Sequence, residues 1–125
     1  MATHDLRVAI ARIPGDHVVI VDCLSLWVTN LLLGDMAPEQ IEAAANDVVR
    51  ELGARDTTTV VVSNEVGLGI VPVNELARAY RDVLGRVNQL FAAAADRALF
   101  CAVGRVVELL RPCDIGLPLG PITTY

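Results

Sequence analysis

Two runs of consecutive apolar, mostly β-branched residues, each leading on to a stretch of helical hydrophobic spacing, constrain this chain more than any other feature. The first run is His17-Val18-Val19-Ile20-Val21-Asp22 and the second is Thr58-Thr59-Val60-Val61-Val62-Ser63. A strand with one wet face alternates polar and apolar residues. Runs without that alternation therefore predict parallel strands covered by helices on both faces. A third strand is expected over 98–103, ended by Gly104. Strands separated by helices imply right-handed crossovers, so the expected fold class is α/β, a three-layer and mainly parallel sheet.

The helices between the runs are read from their period. Leu6, Ala9, Ile10 and Ile13 make one apolar face over 5–13, which Pro14-Gly15-Asp16 stops. A mostly apolar helix over 23–33 contains Trp27 and breaks at Gly34-Asp35. Pro38 suits a first helical turn, and Ile41, Ala44, Ala45, Val48, Val49 and Leu52 then recur until Gly53. The longest helix is expected over 75–95, capped by Asn74, with Leu76, Tyr80, Val83, Leu84, Val87, Leu90, Phe91 and Ala94 inward and Arg78, Arg81, Asp82 and Gln89 outward. Residues 1–108 read as one α/β domain. Residues 109–125, with several prolines and glycines, read as an irregular tail.

Composition narrows the function classes. With 54% hydrophobic and 20% charged residues the chain is unlike a disordered one. Asp16, Asp22, Asn30 and Asp35 interrupt the most apolar region, so no stretch reaches the roughly 20 residues of a membrane span. The first residues have neither a basic start nor an apolar signal core, which predicts a cytoplasmic protein. Three cysteines, Cys23, Cys101 and Cys113, lack metal spacing and are an odd number for a disulfide framework. A net charge of −5 argues against nucleic acid, whose phosphates require a basic face. Small molecules are the expected partners. All ten positive residues are arginine, and the sequence has no lysine.

In parallel sheets ligands bind outside the carboxyl ends of the strands. Asp22 and the Asn64-Glu65 pair stand there. Asp22 ends an apolar run as the acidic strand of phosphate-loop nucleotide enzymes does, where the carboxylate helps hold magnesium. The competing reading is a helix cap. Gly67 and Gly69 could let backbone N–H groups approach an anion, but the spacing lacks both the third glycine of the dinucleotide fingerprint and the Gly-Lys-Ser/Thr ending of the phosphate loop. A plain loop is the competing reading. Glu65 could act as a base or bind a hydroxyl, or be solvated. Arg78, Arg81 and Arg86 could clamp phosphate, or lie on the helix surface. His4 and His17 have no metal or nucleophile spacing.

Three stretches carry a family resemblance. They are Val21-Asp22-Cys23-Leu24 with Leu26-Trp27-Val28-Thr29-Asn30-Leu31-Leu32; Ser63-Asn64-Glu65-Val66-Gly67 with Gly69-Ile70-Val71-Pro72; and Arg81-Asp82 with Gly85-Arg86-Val87-Asn88-Gln89 and Ala95-Asp96. In this order they resemble the bifunctional adenosylcobinamide kinase and adenosylcobinamide-phosphate guanylyltransferase family of cobalamin synthesis. The resemblance implies a phosphate-loop fold that phosphorylates adenosylcobinamide with ATP or GTP, then transfers GMP from GTP onto that phosphate through a histidine. It further implies Asp22 beside nucleotide and magnesium, a site loop containing Asn64, Glu65, Gly67 and Gly69, and a homo-oligomer, a trimer by resemblance.

The family's phosphate loop and its guanylylated histidine precede the matched region. The resemblance therefore implies a truncated or split chain, lacking the amino-terminal strand and phosphate loop. Its partner would be a missing amino-terminal half, and apolar surface and strand edge would stand uncovered. The alternative is a non-catalytic assembly or regulatory module that retains the family fold. A dinucleotide-dependent oxidoreductase is disfavoured, because no complete Gly-x-Gly-x-x-Gly follows any strand.

Overall fold

A computed structural model describes residues 5–116, 120, 121 and 123. The chain forms two compact units, Met1–Ala94 and Ala95–Tyr125. The first contains α1 (Leu6–Ala11), β1 (Val19–Asp22), α2 (Leu24–Leu33), α3 (Pro38–Gly53), β2 (Thr59–Val62) and α4 (Glu75–Ala94). The second contains β3 (Ala98–Ala102), β4 (Arg105–Leu109) and a 3-10 turn, Pro112–Ile115.

Helix starts follow local side-chain chemistry. The Asp5 carboxylate accepts from the Val8 N–H at 2.9 Å, and Asn74 Oδ1 accepts from the Ala77 N–H at 3.1 Å. Each satisfies a donor that the first helical turn leaves without a partner. Helix α3 starts on Pro38, and Gln40 Oε1 reaches back to accept from the Ala37 N–H at 3.0 Å.

Strands β1 and β2 pair in parallel, Val19 with Thr59 through to Asp22 with Val62. Val19 and Val21 are buried with Leu24, Trp27, Val28 and Leu31 of α2, and the same core takes Ile41, Ala45 and Val48 of α3 and Val83, Leu84, Val87 and Phe91 of α4. Fully burying a side chain such as Leu84 contributes about 1.5–3 kcal/mol, and helix α4 supplies four such residues.

The expectation of two covered sheet faces is corrected. Burial alternates along β1, and Val18, Ile20, Val60 and Val62 are 61%, 68%, 46% and 40% exposed. Because successive strand side chains point to opposite faces, a helix layer on one face buries only every second residue. Asp22, in register with Val62, belongs to the uncovered face.

The long helix also differs in detail from its sequence reading. Leu76 and Ala94 are exposed, whereas Arg78 and Arg81 are half-buried rather than outward. Arg86 does lie outward, in an ion pair with Glu42 of α3 at 2.9 Å that raises its pKa further, first by the hydrogen bond and then by the charge.

At the amino ends of the strands, Arg55 donates to the carbonyls of Ile13, Pro14 and His17 at 3.1, 2.7 and 2.9 Å. Thr57 Oγ1 donates to Gly15 and His17 carbonyls at 3.2 and 2.8 Å. These bonds tie the turn after α1 to the approach of β2, which holds the register that places Asp22 at its strand end.

In the second unit β3 does not extend the parallel sheet. It pairs antiparallel with β4, Ala98 opposite Leu109 and Ala102 opposite Arg105. Val103 and Gly104 form the two-residue turn, with φ of 48° and 72°. Both values are positive, as a type I′ hairpin requires. Arg97 Nε donates to Glu108 at 2.9 Å, a bond that pulls the carboxyl below its ordinary value.

Candidate functional site

The carboxyl ends of β1 and β2 bring residues from α2, α4 and the loop after β2 together. Strand β1 delivers Asp22, which is exposed and whose side chain makes no hydrogen bond or ion pair with a described residue. The helix-cap reading does not hold for it. Helix α2 has Cys23 as its N-cap, without a side-chain capping bond. Its peptide with Asp22 is cis. The Asp22 carboxylate is therefore free to meet a ligand.

Beside it runs a chain of side-chain contacts. Cys23 Sγ lies 2.9 Å from Ser25 Oγ, and Ser25 Oγ donates to Asn64 Oδ1 at 2.6 Å. Ser25 is only 7% exposed, so its hydroxyl depends on these partners. Asn88 of α4 closes the network. Its Nδ2 donates to the Asn64 carbonyl at 3.0 Å, and its Oδ1 accepts from Ser63 Oγ. The start of the loop is thus held from α2 on one side and α4 on the other. Sequence reasoning placed Asn64 here but gave Ser25, Ser63 and Asn88 no role. The signal was present, since all three lie within or between the motif residues.

The rest of the loop is arranged by its own side chains. Glu65 Oε1 accepts from the Gly67 N–H at 2.6 Å, and a Cβ on Gly67 would come within 2.8 Å of that oxygen. Glycine at 67 admits the Glu65 carboxylate, and the N–H that an anion cradle would offer is already occupied. At Gly69 a Cβ would meet nothing within 4 Å, so packing does not require glycine there. Arg78 secures the far end of the loop by donating to the carbonyls of Pro72 and Val73. Arg81, on the same helix, has a buried Nη1 with no partner. The structure thus separates the three arginines: Arg78 holds backbone, Arg86 holds Glu42, and Arg81 holds nothing described.

Of the remaining candidates, His17 stands before the amino end of β1, opposite the end that carries Asp22. His17 is exposed and pairs with Asp16 at 2.9 Å, while His4 lies outside the described residues. The cysteines are free thiols. Among the described residues no group of three or more His, Cys, Asp or Glu side chains could hold a metal ion, and no helix is long and apolar enough to cross a membrane.

A parallel pair of strands with helices packed on it, and polar side chains gathered at the carboxyl ends, defines the class as mixed α/β with its candidate site at the strand ends. Within that class the chain belongs to the cobinamide kinase / cobinamide phosphate guanyltransferase family, whose model matches residues 1–109. It is 40% identical over 111 residues to the bifunctional adenosylcobalamin biosynthesis protein CobU of Salmonella typhimurium, covering 79% of this chain and 61% of the relative. The CobU of Escherichia coli gives 40% identity and the same two coverages. The CobP of Pseudomonas aeruginosa, with the same functional name, is 41% identical over 91 residues, 73% of this chain and 52% of the relative. The chain thus spans between about half and three fifths of the curated relatives it matches.

Proposed function

We propose that this chain supplies the acidic-strand side of a nucleotide site that phosphorylates adenosylcobinamide and transfers GMP to its phosphate. The observation that carries the reading is the uncommitted Asp22 carboxylate at a parallel strand end, beside the Ser25–Asn64–Asn88 network. On this reading residues 1–108 are part of a three-layer phosphate-loop domain and 109–125 an appendage to it. ATP or GTP is the phosphoryl donor and GTP the guanylyl donor.

Magnesium fits the residues in one way. It is commonly held by one or two carboxylates together with substrate phosphates and water, so a lone Asp22 suits a shared ion and not a protein-only cage. When bound, the ion would neutralise charge on the transferring group. Asp22 would orient that ion or its water. The hydrogen-bonded loop start would give the nucleotide a fixed wall. With no lysine in its 125 residues, the chain meets phosphate charge with arginine or with a second polypeptide segment.

The test is an assay of adenosylcobinamide phosphorylation and GMP transfer. The chain is measured alone and mixed with a separately expressed amino-terminal segment of the Salmonella relative. Little turnover alone, turnover on mixing, and a 10- to 100-fold fall with Asp22→Asn, about the effect of losing an outer metal contact, are expected. Robust turnover by the chain alone would overturn the need for a second segment, and full activity of D22N in the mixture would overturn the role of Asp22.

A second reading, a non-catalytic assembly module, is favoured by the exposed apolar face of β1 and β2. An unrelated gene directly upstream would support it. A phosphate-loop segment there would support the enzyme. Assembly as a homo-oligomer, a trimer by resemblance, and a cytoplasmic location belong to either reading.

A further inference from the structure

Burying a guanidinium N–H without an acceptor is unfavourable, because the group stays protonated in proteins and loses its water. Arg81 presents that situation. Its Nη1 is shut off from solvent with no acceptor, and its guanidinium makes no hydrogen bond or ion pair with any described residue. Among the described residues the other buried, unpartnered side-chain atoms are different in kind. Arg55 Nε belongs to a head that already donates to three carbonyls, and Thr59 Oγ1 is uncharged.

Helix geometry places Arg81 relative to the site. Residues 81 and 88 are seven apart, two turns and about 10 Å along the axis, and fall within about 20° of each other around the helix. The core side of α4 is marked by Val83, Leu84, Val87 and Phe91. The flank next to it is marked by Asn88, which grips Ser63 and Asn64 at the start of the loop. Arg78, three residues before Arg81, grips the loop's far end at Pro72 and Val73. Arg81 therefore lies along the helix between two residues that hold the two ends of the site loop.

We infer that Arg81 is an anion-binding residue of this site and that its ligand is a phosphoryl oxyanion. The planar fork of a guanidinium matches two such oxygens. The ligand class deepens the nucleotide reading and rests on it. The missing acceptor does not.

The test uses the full 125-residue chain, with inorganic pyrophosphate as the probe and thermal unfolding as the readout. Pyrophosphate raises the Tm of the wild type. Arg81→Met weakens its apparent affinity at least about tenfold, the size expected for losing a charge-assisted hydrogen bond. Arg81→Lys, which keeps the charge and the long stem but not the fork, retains part of the response. Arg50→Met, the same charge change on an exposed part of α3, retains all of it. Without ligand R81M unfolds no earlier than the wild type, because methionine replaces the stem and removes the orphan N–H.

Equal pyrophosphate responses in wild type and R81M, no response in the wild type, an equal response to succinate, or a ligand-free Tm of R81M lowered by several degrees would each overturn the inference. The last would mean that another part of the chain supplies the acceptor. GTP binding measured in parallel separates the two claims. If R81M binds GTP as the wild type does, the assignment of Arg81 fails and the nucleotide reading stands. A pyrophosphate response that needs Arg81 in a chain that ignores GTP supports Arg81 and removes the nucleotide reading.

Discussion

Asn88 shows how much one side chain contributes at the residue scale, since its amide accepts from Ser63 and donates to the carbonyl of Asn64. Asn88→Ala leaves the part-buried Ser63 hydroxyl without its partner and the exposed Asn64 carbonyl to water. It should lower stability by about 1–2 kcal/mol, and the loop amides from Glu65 onward should exchange hydrogen faster than in the wild type. Unchanged loop exchange in N88A would mean that the Ser25–Asn64 bond holds the loop by itself. The sequence made Asp22 and Asn64 visible because both follow strand runs. It could not make Ser25, Ser63 and Asn88 visible as a unit, since their pairings span 39, 25 and 24 positions along the chain. Glu65 shows the opposite limit: its type suggested a base, and only the fold turned the carboxylate back onto Gly67.

At the scale of elements, period and breakers located all four helices and the first two strands to within a residue or two of where they stand. Asn74 as a cap and Pro38 as a first helical residue were legible for the same reason, because both act within one turn. The hairpin of β3 and β4 was not. Its turn is Val103-Gly104, and a β-branched residue at φ 48° is no hairpin signal. A left-handed conformation is unfavourable for such a residue by about 1–2 kcal/mol. Val103→Asn, which forms the favoured Asn-Gly turn, should therefore stabilise the hairpin by about 1 kcal/mol. The check is slower exchange of the β3 and β4 amides in V103N, and unchanged or faster exchange would contradict a type I′ turn at Val103-Gly104.

At the scale of the molecule, the uncovered face of β1 and β2 and the exposed Leu99, Phe100, Val106 and Val107 leave apolar groups in water. Sedimentation of the chain alone should show concentration-dependent association. Replacing Ile20 and Val60 together by threonine, which keeps strand propensity, should reduce that association without loss of far-UV helix signal. A wild type that stays monomeric and unfolds cooperatively at high concentration would contradict this. The sequence by itself determined the order of helices and strands, the position of an acid at the end of a parallel strand, and family membership, because these depend on residue types a few positions apart or on motifs in fixed order. Only the folded chain shows that the third strand turns into a hairpin and which polar groups find partners. Those outcomes depend on which distant segments come to lie against each other, and local period carries no information about that.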